Sequence, residues 1–265
     1  MKKLVRYLSL YKSMFAYSLN RELQYRVNFA VVVIGYILYL IANVAFFSIL
    51  YSWVNSVGGW SYEQILVFLG TYHIIHGLWD FGTALNVERI SEYIAQGSLD
   101  MILMKPVSSL FYVVFRNMNF APLMNVILGT IIVVIGMMKA QVTVTLGSLL
   151  LYLVMIVNGV IIFTMLQLIL QLVSFWVIRT NVVNALFYQV IKFSEKPDAI
   201  YKGFLRRFFI FAIPMIVVVN FPSRVLLGIL DTGYIVWGEI VTILLLVIGI
   251  VGWRLSVKYY SSASS

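Results

Sequence analysis

Three side chains able to do chemistry, His73, His76 and Asp80, recur at i, i+3 and i+7, so a helix places them on one face. In an apolar stretch, two imidazoles and a carboxylate are the material for a metal site or a proton relay, and ionisable groups inside a membrane raise a functional hypothesis by default. The chain has no third histidine, and no His-Glu-x-x-His surrounds the pair. Hydrogen bonding across a helix interface is the reading we favour for them. Arg116, with Asn117 and Asn119 beside it, either snorkels toward headgroups or pairs with Asp80. Gln167 and Gln171, one helical turn apart, line a translocation path or bond between helices. Gly35 and Gly159 read as ordinary membrane-helix glycines, and no Gly-x-x-x-Gly pair is expected to matter.

Catalytic signatures are missing. The chain contains no Gly-x-x-x-x-Gly-Lys-Ser/Thr, no Gly-x-Ser-x-Gly and no cysteine. Phosphate-loop nucleotide binding, the serine-hydrolase elbow and thiolate chemistry are therefore not expected. No cofactor or metal is expected in this chain, and no enzymatic activity.

The elements that hold these residues follow from composition. Of 265 residues, 62% are hydrophobic and only 11% charged, against about 25% charged in a soluble domain. A globule this size could not hide so much apolar surface. We read an all-α integral membrane protein, a single domain over 1–265. Lys and Arg (19) outnumber Asp and Glu (10), but they gather at the ends of apolar runs. That is the pattern of topology signals and lipid contacts rather than of a nucleic-acid partner.

Residues 1–26 read as an interfacial amphipathic helix, with Leu4, Leu8, Tyr11, Phe15 and Leu19 on one face and Lys2, Arg6, Lys12 and Asn20 mostly elsewhere. A soluble tail packed on nothing is the alternative. Charges interrupt any signal-peptide core. Val27–Val54 has no charged residue and exceeds the ~20 positions a span needs. The second span is expected at about Gln64–Asn86, the third at Val107–Met138, the fourth at Leu146–Phe175 and the last at Tyr234–Ser256. Between the second and third lies a polar interlude, 87–106, with a short helix stopped at Gly97 and a second turn capped by Ser98.

The region before the last span has two solutions. Either Thr180–Phe193 is a short fifth span and 204–230 re-enters as two helices meeting near Asn220, or 179–207 is a basic loop and 208–230 is the span. The prolines Pro214 and Pro222 favour the first; the basic residues Arg179, Lys192, Lys196, Lys202, Arg206 and Arg207 favour the second. Both give six spans with both termini cytoplasmic, an orientation that the basic N-terminus and Arg254 and Lys258 support. The terminal Ser-Ser-Ala-Ser-Ser reads as a tail.

One stretch carries a resemblance. Ile90-Ser91-Glu92-Tyr93-Ile94-Ala95-Gln96-Gly97-Ser98-Leu99-Asp100, running on to Leu103-Met104-Lys105-Pro106-Val107, resembles a pattern in a bacterial branch of the type 2 ABC-transporter membrane family, as do Ile213-Pro214 and Phe221-Pro222. The resemblance implies a permease in the bacterial cell membrane that pairs with a second permease, identical or sister. It implies a separate cytoplasmic ATPase holding ATP and magnesium, and export of an apolar or amphipathic substrate. The N-terminal helix becomes its elbow, 204–230 its re-entrant hairpin, and 87–106 the coupling segment that docks on the ATPase. Glu88, Arg89, Glu92, Asp100 and Lys105 would then offer charges there, Tyr93 and Ile94 the apolar anchors, and Gly97 the turn. An ion-coupled secondary transporter using His73, His76 and Asp80 is the alternative. It predicts matching helix breaks in both halves, and the sequence signals one only near Pro214–Pro222. A membrane-embedded enzyme or assembly factor would need a convergent polar site that the sequence does not signal.

Overall fold

A computed structural model describes residues 2–177 and 180–260, with side chains from Val5 to Val177 and from Val182 to Tyr260. The expectations on Lys2, Lys3 and Leu4 as side chains, on Arg179 and on the terminal serine-rich stretch lie outside the described residues. The described chain is helical: α1 Lys2–Gln24, α2 Arg26–Trp53, α3 Tyr62–Trp79, α4 Leu85–Glu88, α5 Ile90–Ala95, α6 Leu99–Leu103, α7 Ser109–Phe115, α8 Leu123–Lys139, α9 Leu146–Leu172, α10 Thr180–Ile191, α11 Gly203–Phe211, α12 Met215–Leu226 and α13 Thr232–Tyr259. Arg26–Trp53, Leu146–Phe175 and Thr232–Tyr259 are each long and apolar enough to cross a membrane, and α11 with α12 makes a fourth if taken as one bent span.

Local chemistry sets the boundaries. Ser61 and Gln64 form a reciprocal capping box at the start of α3, and Thr145 and Ser148 do the same for α9, satisfying amides that a helix start leaves open. Gly97 stops α5 in the left-handed region (φ 67°), where a side chain would be strained. Ser98 does not cap α6 as the sequence suggests: its hydroxyl donates back to Tyr93 O at 3.4 Å. A π-helical stretch, Asp80–Ala84, joins α3 to α4, so this helical run continues to Glu88, two residues into the expected interlude.

The stretch expected as the third span is broken into α7 and α8. Leu123 starts α8 after Pro122, whose ring removes an amide and restricts the residue before it. The amides of the break find other acceptors: Asn117 N donates to Asn86 Oδ1, Met118 N to Ser18 Oγ and Asn119 N to the Phe81 carbonyl. The first half therefore holds a helix break that the sequence reading did not place.

The second break also differs from expectation. α11 and α12 meet at Ala212–Pro214, bent by 87°, while Asn220-Phe221-Pro222 lies inside α12. Pro222 has no amide to offer the Val218 carbonyl one turn back. That carbonyl instead faces α9, where a Cβ on Gly159 would stand 3.0 Å from it. Gly159 is thus a contact position, whereas a Cβ on Gly35 meets nothing within 4 Å.

Two pairs of glycines seven residues apart seat α3 on α8. A Cβ on Gly70 would lie 2.5 Å from the Gly129 carbonyl, one on Gly77 2.8 Å from the Pro122 carbonyl, and one on Gly136 2.9 Å from Val67 N. Small residues let membrane helices approach this closely, so that backbone packs on backbone.

α1 is not a free tail. Tyr7, Tyr11 and Phe15 meet Phe111, Phe115 and Phe120 edge-on at 4.9, 6.3 and 5.1 Å, and Arg21 donates to Met118 O at 3.1 Å. Met14 and Ser18 are buried on the packed face, Tyr11, Phe15 and Leu19 are partly exposed, and Leu8, expected on the inner stripe, is mostly exposed.

The ends of the helices sort to two sides. Arg224 sits over Trp60 at 5.2 Å and Ala199 presses on Gly58, so the 54–61 and 195–202 connections share a side. At the other, Trp253 donates to Ser109 at 3.1 Å and Phe175 meets Trp253 and Tyr260. The C-terminal end of α13 thus lies with α5–α7, and α1 with α7.

Candidate functional site

Two features emerge from this frame: the α5–α6 surface and a polar seam behind it. Ile90, Leu99 and Ile102 are buried and fix the two short helices to the core. Tyr93 and Ile94, the expected anchors, are half-buried and pack inward against that core. What faces outward is Glu92, Ala95, Gln96, Met101 (64% exposed), Met104 (76%), Lys105 and Pro106. The two methionines were missed because a hydrophobic residue at helical spacing reads first as core. Their signal was the spacing of Leu99, Ile102 and Leu103, which assigns the inward face of α6 without them.

The segment is tied to the spans by named contacts. Glu88 accepts from the Tyr188 hydroxyl of α10 at 3.2 Å. The Arg116 guanidinium, at the end of α7, lies over the rings of Tyr93 and Tyr112 at 5.8 and 5.6 Å, and Lys105 lies over Tyr112 at 5.0 Å. Burial and the neighbouring Asp100 carboxylate raise the Tyr260 phenol above its ordinary range. Arg89 is half-buried, and Gln96 donates to Glu92 along the exposed face at 3.0 Å.

Asp80 does not pair with Arg116. It begins the π-helical stretch and accepts from the Tyr36 hydroxyl of α2 at 2.5 Å. It is the middle member of a seam between α2, α3 and α10 in which carboxylate and phenol alternate. Toward the 54–61 side, Glu195 accepts from Tyr72 at 3.1 Å, with Tyr39 close by; toward α5, Glu88 accepts from Tyr188. Glu195 and the tyrosines escaped the sequence reading because Lys192 and Lys196 frame Glu195 as loop, and tyrosine in a span reads as filler.

The histidines pack among aromatic rings, and His73 does not make the hydrogen bond across a helix interface that the sequence suggested. His73 is 0% exposed, between the rings of Tyr39 and Tyr72, and neither ring nitrogen has a hydrogen-bond partner. His76 lies between Tyr72 and Trp79. Among the described residues, no group of three or more His, Cys, Asp and Glu gathers that could hold a metal ion. Gln167 donates to the Ala84 carbonyl at 3.2 Å and Gln171 to Asn184, so each bridges α9 to a neighbour. The π-helical stretch is pinned further by Thr83 and Thr164 at 2.7 Å and by the Asn86–Asn117 pair.

A family model described as ABC-2 family transporter protein matches residues 37–264, most of the chain. No curated protein and no solved structure is a match.

Proposed function

The chain belongs to the ABC-2 transporter family, and from that premise we propose that it is the permease subunit of an ATP-driven transporter in a bacterial cell membrane. The family is a membrane component of transport and implies a partnering ATPase in general terms. In this reading α1 is the interfacial elbow; α2, α3, α7 with α8, α9, α10 and α13 are the six spans; α11 and α12 form the re-entrant hairpin. Both termini and α5–α6 face the cytoplasm. A second permease, identical or sister, packs alongside, and the cargo is an apolar or amphipathic molecule carried outward.

The observation that carries this reading is the pair of exposed methionines, Met101 on α6 and Met104 just past it, with Glu92 and Lys105 also exposed on the segment, whose opposite face is buried. An apolar centre with a charged rim is the anatomy of a docking surface. ATP and magnesium bind in the partner, and closure of the ATPases moves α5–α6. That movement passes to α7 through Tyr93, Arg116 and Tyr112, and to α10 through Glu88 and Tyr188. The differential affinity of the ATPase for the two arrangements supplies the free energy of switching.

The ion-coupled alternative is not favoured. A proton relay needs successive hydrogen-bonded groups, and His73 makes no such bond. The breaks at Arg116–Pro122, within the third stretch of the first half, and at Ala212–Pro214, in the hairpin before the last helix, do not fall at corresponding positions of two halves, as inverted repeats require. The test is the double substitution Met101→Asp with Met104→Asp. It abolishes ATPase co-purification and transport while the thermal unfolding midpoint stays at the wild-type value; retention of the ATPase overturns the assignment.

A further inference from the structure

A cavity of about 820 Å³ opens between α7, α9, α13 and the π-helical stretch, with Tyr11 of α1 at its edge. That volume lies within the range of small-molecule sites, and the spaces between helices of a bundle are where such sites form. Its wall is apolar along Leu110, Val160, Ile161, Met165, Leu246 and Ile250. The serine and threonine hydroxyls in the wall already have protein partners. Thr83 bonds Thr164 and the Trp79 carbonyl, Thr164 bonds the Val160 carbonyl, Ser109 accepts from Trp253, and Ser108 accepts from Phe111 N.

One end is different. Arg254, in the last turns of α13, lines the cavity beside Ser108 and Ser109; it is exposed and belongs to none of the ion pairs among the described residues. The lining runs from Arg254 back to Leu246, about 12 Å along a helix. The cavity is therefore itself amphipathic: a cationic mouth on the α5–α7 side and an apolar interior reaching into the spans. In a chain surrounded by lipid, the molecule with that polarity is an anionic phospholipid, its phosphate on the guanidinium and an acyl chain against α9 and α13.

We propose that this cavity is a binding site for one anionic phospholipid of the leaflet next to α5–α7, held by Arg254 and seated between α7, α9 and α13. The lipid fills the space left between α7 and the packed pair α9 and α13. The proposal rests on the membrane reading of the chain but not on ATPase docking, since Met101 and Met104 lie outside the cavity.

The test is native mass spectrometry of the purified full chain in micelles containing equal phosphatidylglycerol and phosphatidylcholine of matched chains. Wild type retains phosphatidylglycerol over phosphatidylcholine by about fivefold, the preference one basic residue gives at an anionic surface. Arg254→Gln brings the ratio to about one. Gly82→Leu, at a lining position where a Cβ meets nothing within 4 Å, fills the cavity and lowers retention of both lipids. Equal retention of both lipids by wild type overturns the proposal, as does an unchanged ratio in Arg254→Gln or unchanged occupancy in Gly82→Leu. Release of the bound amphiphile during ATP turnover by the assembled transporter identifies it as cargo and overturns the resident-lipid assignment. ATPase co-purification with both variants, measured alongside, reports separately on the docking reading.

Discussion

The hydroxyl of Tyr36 donates to Asp80 Oδ2 at 2.5 Å, joining α2 to the first residue of the π-helical stretch. α2 is otherwise largely exposed, with Leu40 and Phe47 its buried residues, so this polar contact, with the Tyr39–His73 ring contact, ties α2 to the helical run that carries Asp80. Tyr36→Phe leaves a carboxylate without its donor and destabilises the protein by about 1–2 kcal/mol. Thermal unfolding of the solubilised protein measures it. Asp80→Asn added to Tyr36→Phe recovers part of the loss, because a neutral amide is cheaper to leave unpaired than a charge.

Close packing of α3 on α8 makes a second prediction. Gly129→Ala puts a methyl 2.6 Å from the Gly70 carbonyl, where backbone must move, whereas Gly35→Ala meets open space. Overpacking at the first site costs about 1–3 kcal/mol; the second is neutral or stabilising by up to ~1 kcal/mol through helix propensity. Equal unfolding midpoints for the two variants would contradict the packing account.

Arg116 joins the α5–α6 surface to α7 through two aromatic faces. Such contacts are each worth about 0.5–2 kcal/mol. Arg116→Met keeps the ATPase bound but separates its hydrolysis from transport, since the docking surface is intact and its link to the span is not. Measuring ATP hydrolysis and cargo movement together checks this. Loss of ATPase binding in that variant would place Arg116 in the interface itself.

Periodicity and caps made much of this fold legible. The charge-free runs located α2 and α9, a long apolar run located α13, and Gly97 marked the end of α5 because a left-handed residue there ends a helix without strain. Other features depend on partners that one sequence does not display. The break before Pro122 is tolerated because Asn86 and Ser18, distant in sequence, supply acceptors for its amides. Pro222 sits inside a helix because Gly159 gives the orphaned Val218 carbonyl a place to lie. Arg206, counted as a topology signal before the hairpin, also has a structural partner. Arg206 and Arg224 both bind Asp198 at 2.7 Å, and one sequence does not display that pairing. The glycines of α3 and α8 were visible at a spacing of seven, a full two turns, but the search for Gly-x-x-x-Gly passed over them.

Sidedness is the central claim, and the absence of cysteine from the chain makes it directly measurable. A single Met104→Cys substitution, at the exposed methionine just past α6, is treated with a membrane-impermeant maleimide in intact cells and again after permeabilisation. Asn55→Cys, in the connection after α2, is treated in parallel. The account predicts that position 104 reacts only after permeabilisation and that position 55 reacts in intact cells. Reaction at 104 from outside would invert the orientation and contradict docking of a cytoplasmic ATPase on α5–α6.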